Sequence, residues 1–275
     1  MRRLIKSDIR GLFWDKSFII SIFFSVLLGA FMPIIGYANK VRYGEITVFE
    51  DGFFIILTAL ALVVPSYVSL YVGKSFDWGT IRNKLSVGKT RVEVYLSFLI
   101  TSLYGTFVLF ISFLTTYTLL GVFLLEKMDI PLKAFVLLLF SSVFVVFSIT
   151  ALSVAIVNTT SSRVLSLVFT LFVVIALLMI GSIAVQMLLE PEMITNSFTV
   201  VDGKFVLSDP YPNPRYVKES QRWIWEIVRD SILGGQIHQI TALECNPLRV
   251  SFFSIAFGSI VTALGCILFN RKDLK

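Results

Sequence analysis

Six long runs without a charged residue limit what this chain can fold into more than any other feature of the sequence. None of them contains Asp, Glu, Lys, Arg or His. Because about 20 helical residues cross the roughly 30 Å hydrocarbon core of a bilayer, each run is long enough to span it. Backbone groups in lipid must be hydrogen-bonded within their own segment, so the runs predict an all-α membrane protein whose six transmembrane helices form a single transmembrane domain, 1–275. The predicted spans are 17–37, 52–72, 95–125, 134–157, 164–189 and 250–269.

The composition agrees with this class of protein. Hydrophobic residues make up 56% of the chain and charged residues 15%, whereas soluble domains carry about 25% charge. The net charge is +6, but positive charge in a membrane protein usually marks cytoplasmic loops that face anionic lipid. We therefore expect membrane lipid, and no nucleic acid, as a partner. Cys245 and Cys266 should lie at different depths, so no disulfide is expected between them.

Lys and Arg are distributed unequally between the two ends of the predicted spans. The segments 1–16 and 73–94 are rich in both, whereas Lys40 and Arg42, in the loop after the first span, are accompanied by several acidic residues. The positive-inside rule therefore places both termini in the cytoplasm.

The polar residues inside the spans are Ser and Thr, which we expect to form hydrogen bonds between helices. Ion-coupled transporters usually keep ionisable groups at membrane depth. Since these spans have none, any uphill transport is expected to draw its energy from a cytoplasmic partner.

The segment 1–16 is basic and amphipathic. Ile5, Ile9 and Leu12 recur at helical spacing among Lys and Arg, which predicts a helix lying in the cytoplasmic interface of the membrane. The alternative is a charged extension of the first span.

The region 190–246 is predicted to lie outside the cell. Residues alternate around Asp202-Gly203, which predicts a β-hairpin. The stretch 220–233 has one apolar face and predicts an amphipathic helix on the outer interface, ended by Gly234-Gly235. Such a region either gates an exit path or caps the helix bundle.

The loop 73–94 combines many cations with apolar residues and framing glycines. Asp77 is suited to cap a short helix whose first turn holds Trp78, Gly79 and Thr80. Gly88 is placed to end that helix. The sequence therefore predicts a short helix on the cytoplasmic ends of two membrane helices.

Such a helix is well suited to contact another protein. Arg82 and Lys84 can pair with carboxylates of a partner groove, and Trp78, Ile81 and Leu85 can supply an apolar anchor. The alternative, a solvated cationic loop, explains the charges but not the apolar residues and glycines. The candidate coupling residues are Asp77, Trp78, Gly79, Thr80, Ile81, Arg82, Asn83, Lys84 and Leu85.

Motifs for chemistry by the chain itself are missing from the sequence. The run 87–90 resembles the end of a phosphate-binding loop, but Asn83 stands where the first glycine belongs, so we expect no ATP site here. His238 is the only histidine and lacks ligands at metal-binding spacing. We expect no catalytic residues, no metal and no cofactor bound by this chain.

Together these features resemble the permease subunits of ABC-2-type exporters. The resemblance rests on the basic N-terminal helix, six spans with both termini inside, the loop after the second span and the ending 269–275. In that family the loop commonly reads acidic-x-x-GT(I/L)RN-x-L-x-x-G-x-(S/T)R. Here Asp77 stands near the acidic position, and the residues that match by type are Gly79, Thr80, Arg82, Asn83, Gly88 and Arg91.

The resemblance implies that the loop is a coupling helix docking into a separate ATPase subunit, which binds ATP and Mg²⁺. It implies two such ATPase subunits and a second permease subunit, identical or related, in a bacterial cytoplasmic membrane. The expected function is export of a hydrophobic or amphipathic substrate such as a peptide, an antibiotic or a lipid. Two other functions stay open: an ATP-independent channel or carrier, and a membrane-embedded sensor or immunity protein that binds a peptide through 190–246.

Overall fold

The computed structural model is mostly helical and describes residues 1–195, 198–201, 204–207 and 210–272. A short 3-10 turn, Phe53–Ile55, precedes the third α-helix. The helices in these ranges are α1 (Arg2–Phe13), α2 (Lys16–Tyr43), α3 (Ile56–Asp77), α4 (Thr80–Ser86), α5 (Arg91–Leu124), α6 (Leu132–Thr160), α7 (Arg163–Leu189), α8 (Glu219–Ser231), α9 (Leu233–Thr241) and α10 (Pro247–Arg271). The strands are β1 (Met193–Ile194), β2 (Phe198–Val201), β3 (Lys204–Leu207) and β4 (Tyr211–Pro212).

Six of these helices, α2, α3, α5, α6, α7 and α10, are long and apolar enough to cross a membrane. The six predicted apolar helices are therefore confirmed, and the fold is that expected of a multi-pass membrane protein. The helices extend beyond the predicted spans. For example, α2 continues to Tyr43 and stops where Gly44 adopts a left-handed φ of 72°. Lys40 and Arg42 fall in its last turn, where cations interact favourably with the helix dipole.

Both described ends of the chain lie at the same end of the helix bundle. The Met1 amino group is 3.5 Å from Glu93 Oε1 at the start of α5. Arg91 donates a hydrogen bond of 3.0 Å to the carbonyl of Asn270, near the end of α10. Because α4 is also here, we call this the α4 end and the opposite one the α9 end. The common position of the two termini agrees with six crossings, while their cytoplasmic location stays a prediction.

The most extensive helix pair, α6 with α10, is joined by serines and glycines. Ser148 donates a hydrogen bond of 2.7 Å to the carbonyl of Ser254, and Ser141 donates one of 2.7 Å to that of Pro247. A Cβ at Gly258 would lie only 2.4 Å from the Phe147 ring. Small residues that allow close approach and hydroxyls that bond across helices are the usual means of helix association in membranes. The expected role of the Ser residues is thus confirmed for this pair.

The helix after 220 does not end at Gly234-Gly235 as the sequence predicts. α8 stops earlier, where Ile232 takes an extended conformation, and both glycines lie in the first turn of α9. They are glycines because α9 packs directly on α7: a Cβ on Gly181 would lie 2.1 Å from the Gly235 nitrogen. α9 is therefore a second, buried helix, and the two glycines make its close contact with α7.

A buried carboxylate holds the corner between α8 and α9. Asp230 accepts hydrogen bonds from Arg229 Nε at 2.9 Å and Gln239 Nε2 at 3.1 Å. Arg249 Nε at the start of α10 lies 2.6 Å from the other oxygen, as a charge contact outside hydrogen-bond geometry. Unpaired charges are costly to bury, so this cluster fixes α8, α9 and α10 together.

Both cysteines are free thiols. Burial raises the pKa of Cys245, which lies near this cluster, to about 11.

The region between α7 and α8 contains two small antiparallel sheets. β2 pairs with β3, with Val201 opposite Lys204, and β1 pairs with β4. The strands of the predicted hairpin are therefore confirmed, although Asp202-Gly203 lies outside the described residues. α8 leaves the apolar side chains of Trp223, Ile224 and Ile227 exposed, in keeping with an interfacial helix. Whether the region gates or caps stays a prediction.

Replacing Gly181 by Ala is expected to lower the free energy of unfolding by about 3 kcal/mol, because the new methyl meets backbone atoms that have no room to move. Unfolding in mixed detergent micelles measures the loss. Gly11→Ala in α1 is the matched control, since its Cβ meets only Tyr71 Oη at 3.5 Å, and it should stabilise by roughly 0.5–1 kcal/mol. Equal stability of Gly181→Ala and wild type would contradict the close packing of α7 on α9.

Candidate functional site

The start of the short helix in 73–94 differs from the prediction. Asp77 is the last residue of α3, Trp78 follows it, and α4 begins at Thr80 after Gly79, whose φ is +65°. The prediction that Asp77 caps α4 is wrong, because the left-handed glycine ends α3 and turns the chain. Asp77 instead accepts a hydrogen bond of 3.4 Å from the backbone N–H of Arg163. The Asp77 carboxylate thus lies beside the first turn of α7, where a negative charge interacts favourably with the helix dipole.

The end of α4 agrees with the prediction. Gly88 has a φ of +84° and donates its N–H to the Leu85 carbonyl at 2.9 Å. α5 then begins with a capping box: Thr90 Oγ1 accepts from the Glu93 N–H at 3.2 Å, and the Glu93 carboxylate accepts from the Thr90 N–H at 3.1 Å. The sequence analysis missed this box, although a Thr with Glu three residues later is its signature.

The inner side of α4 is bound to α1 by a mostly buried ion pair. Lys84 Nζ lies 2.9 and 3.0 Å from the two oxygens of Asp8, whose side chain is 10% exposed. Ser97 in α5 donates a further hydrogen bond of 2.7 Å to Asp8, and Tyr71 in α3 donates one of 2.6 Å to the Asp8 carbonyl. Asp8 therefore connects α1 with α3, α4 and α5.

This arrangement corrects the expected roles of three residues in α4. Ile81 is 2% exposed and Leu85 packs against the core, so neither is a free anchor for a partner. Lys84 pairs with Asp8 within the chain and not with a partner carboxylate. Sequence reasoning also missed Asp8, although an acid on the apolar face of a basic helix was a signal that it has a partner inside the fold.

A second ion pair connects α3 with the junction of α1 and α2. Lys74 Nζ lies 3.3 Å from Asp15, and Asp15 caps α2 by accepting from the Ser17 N–H at 3.0 Å. Burial alone would raise the pKa of Asp15, but the hydrogen bonds from Ser17 and the charge of Lys74 together hold it below its ordinary value. The stabilisation by this pair is therefore present above the ordinary Asp pKa near 4 and is lost only in more acidic solution.

The C-terminal end of α10 closes the site on its other side. Arg91 donates to the carbonyls of Asn270, at 3.0 Å, and Lys272, while Phe76 meets Phe269 edge-on with 6.2 Å between ring centres. Two separate parts of the sequence that carry the resemblance, the loop and the chain's ending, are thus in contact. The segment 73–94 binds the described ends of α1, α7 and α10.

Four residues in and beside α4 face outward. Trp78 is 68% exposed and Val87 80%, and Arg82 and Asn83 are exposed as well. Among the described residues Arg82 forms no ion pair, and Lys74 lies 4.4 Å above the Trp78 ring. We call Trp78, Arg82, Asn83 and Val87 the tip surface. It offers apolar area and one free cation at the α4 end.

An apolar cavity of about 540 Å³ lies toward the opposite end of α5. Its rim carries Glu126, paired with Lys40, and Lys127. The side chains that line its apolar part include Phe49, Phe53, Leu114, Val122, Phe135 and Leu139. Within the described ranges no cluster of His, Cys, Asp and Glu is suited to hold a metal ion.

No protein-family model matches the chain, and comparison with curated proteins finds no significant match. The case for a function therefore rests on the residues and their geometry.

Lys84→Met is expected to lower the free energy of unfolding by about 3 kcal/mol, because it leaves the buried Asp8 carboxylate without a cation. Adding Asp8→Asn should cost much less than in the wild-type background, since the two residues act as a pair. Unfolding of the four proteins in mixed micelles gives the coupling energy. Lys89→Met, which removes an exposed 3.7 Å pair with Glu93, should cost far less than Lys84→Met, because exposed ion pairs are screened by solvent. Additive effects would show that Asp8 and Lys84 are not coupled.

Proposed function

We propose that this chain is the membrane-spanning permease subunit of an ATP-driven exporter of the ABC-2 type. In this proposal a separate ATPase subunit docks on the tip surface and drives a hydrophobic or amphipathic substrate, such as a peptide, an antibiotic or a lipid, out of the cell. The observation that carries the proposal is the tip surface itself. A short helix with a free arginine, preceded by an outward tryptophan, stands where several helix ends converge.

The chemistry of the tip surface suits a protein partner. Tryptophan and arginine are the residues most enriched at energetically important interface positions. Trp78 and Val87 stay mostly exposed, even though Lys74 lies over one face of the Trp78 ring, and the exposure of large apolar side chains to water is unfavourable. Arg82 is available for a carboxylate on the partner, whereas Lys84 is not.

The contacts behind the tip surface suit force transmission. α4 is tied to α1 through Asp8, and the flanking residues of the segment reach α7 through Asp77 and α10 through Arg91. A push on α4 would therefore move these helix ends together as a packed unit, which is how small displacements become rigid-body motions. A solvated loop would need none of these contacts.

The spans and the cavity support an apolar cargo. The predicted spans carry no charge for ion coupling, and Phe and Leu supply half of the residues that line the cavity beside α5. Cavities of this size and lining are typical of sites for small apolar ligands. Its charged rim, with Lys127 and the Lys40–Glu126 pair, suits the polar end of an amphipathic molecule.

The proposed assembly contains two ATPase subunits, which hold ATP and Mg²⁺, and a second permease subunit, identical or related. The chain would lie in the bacterial cytoplasmic membrane with both termini and the tip surface in the cytoplasm. The region 190–246 would then face outward beside the cavity, where substrate leaves.

The test is co-purification of the chain with its candidate ATPase subunit, followed by ATP-dependent transport in reconstituted vesicles. Trp78→Ala combined with Arg82→Glu is expected to weaken binding at least about 30-fold, because losing one central aromatic anchor alone costs about 2 kcal/mol. Both side chains are exposed, so the stability of the permease should not change.

The matched control is Trp223→Ala combined with Arg215→Glu, which removes an exposed tryptophan and reverses an exposed arginine in the region before α9. This control should bind the ATPase as wild type does. Full assembly and transport by the tip variant would overturn the proposal. Transport that persists without any ATPase would favour an ATP-independent channel or carrier. Peptide binding without transport would favour a membrane-embedded sensor or immunity protein.

A further inference from the structure

Acidic and basic residues of the segment 1–16 are separated in space. Its two acids point into the protein: Asp8 pairs with Lys84, and Asp15 with Lys74. The cations of this segment all point away from the protein, and within the described residues none of them forms an ion pair or a side-chain hydrogen bond. They are Arg2, Arg3, Lys6, Arg10 and Lys16, and all are exposed. α1 therefore presents a purely cationic outer surface.

An apolar groove lies directly beside these cations. It has a volume of about 530 Å³ and is formed between α1 and α5, with Ile5, Ile9 and Ile100 as its apolar lining. Arg2 and Lys6 stand at its edge. A groove with an apolar floor and a cationic edge fits a molecule that has a hydrocarbon chain and an anionic head.

The depth of the groove agrees with the inner boundary of a bilayer. α5 has 34 residues and is about 50 Å long, roughly 20 Å more than the hydrocarbon core. If the excess is shared between its ends, about 10 Å of α5 projects at the α4 end. Ile100 lies about 14 Å from the helix start by the same rise per residue. It would thus sit just inside the hydrocarbon, with the cations of α1 at headgroup level.

We propose that α1 and Ile100 form a binding site for an anionic phospholipid of the membrane leaflet at the α4 end. An acyl chain occupies the groove between Ile5, Ile9 and Ile100, and the phosphate of the headgroup binds Arg2 and Lys6. The bulk attraction of a basic segment to an anionic surface needs no groove, whereas this site holds one lipid in one place. The site does not depend on the proposed ATPase partner.

The site has a consequence for α4. Asp8 lies in the same helix as Arg2 and Lys6, on the side facing the protein, and its carboxylate holds Lys84. A lipid that fixes α1 on the membrane therefore also restrains α4 through this pair. Anionic lipid is therefore expected to stabilise the α4 end and to raise the unfolding temperature.

The test uses the purified full chain in detergent micelles, titrated with dioleoyl phosphatidylglycerol or dioleoyl phosphatidylcholine and followed by native mass spectrometry and by the unfolding temperature. Wild type should bind the anionic lipid at least about tenfold more tightly. Arg2→Gln with Lys6→Gln should weaken that binding roughly 30-fold, since each cation near an anionic surface contributes about 1 kcal/mol. Binding of phosphatidylcholine should weaken much less, because its choline cation already offsets the charge of its phosphate.

Two further variants distinguish a site from general attraction. Ile100→Trp places a larger ring in the groove without altering charge and should weaken binding of both lipids. Arg215→Gln with Lys218→Gln removes two exposed cations in the region before α9 and should leave binding unchanged. An equal loss in this control would show that net charge alone acts, and wild-type binding by Ile100→Trp would exclude the groove. If inorganic phosphate alone bound at Arg2 and Lys6 as tightly as the lipid does, the acyl chain would contribute nothing. That result would also overturn the lipid assignment.

Discussion

The carboxylates that are buried in this helix bundle have to find partners within the protein, and the arrangement of the elements follows from that constraint. Water is not there to solvate such groups, and a buried charge without a partner is expensive. At the α4 end Asp8 is satisfied by Lys84 and Ser97. At the α9 end Asp230 is satisfied by Gln239 and two arginines. Each carboxylate bonds to residues of several helices at once.

The same constraint accounts for the division of α4 into two sides. Lys84 has to face Asp8, so Ile81, three residues before it, also faces the protein and is buried. Arg82 and Asn83 are then turned outward. The inner side of α4 contacts the bundle, so only its outer side, with Arg82 and Asn83, contributes to the tip surface. α1 is divided in the same way, with Asp8 inside and the cations outside.

The sequence was sufficient for the features that depend on neighbouring residues. The number of apolar helices, the termination of α4 before Gly88 and the strands of the hairpin follow from runs, spacing and turn residues. It was insufficient where a distant segment decides. Asp77 has the chemistry of a helix cap, but the N–H that it binds belongs to Arg163 at the start of α7, 86 residues later. Gly234-Gly235 has the pattern of a helix end, but its glycines are required because α7 lies against them. The inward direction of Asp8 likewise depends on Lys84, 76 residues away.

These contacts also limit how the α4 end can move. The pair between Asp8 and Lys84 is mostly buried and is weakly screened, whereas the one between Lys89 and Glu93 is about one third exposed and contributes little. α1 and α4 should therefore shift as one body, together with the helix ends that are bonded to them. Two proposed partners, a lipid on α1 and an ATPase on α4, would then act on that same body. Linkage between two ligands is reciprocal. If the lipid and the ATPase favour the same position of this body, each of them must therefore increase the affinity of the protein for the other.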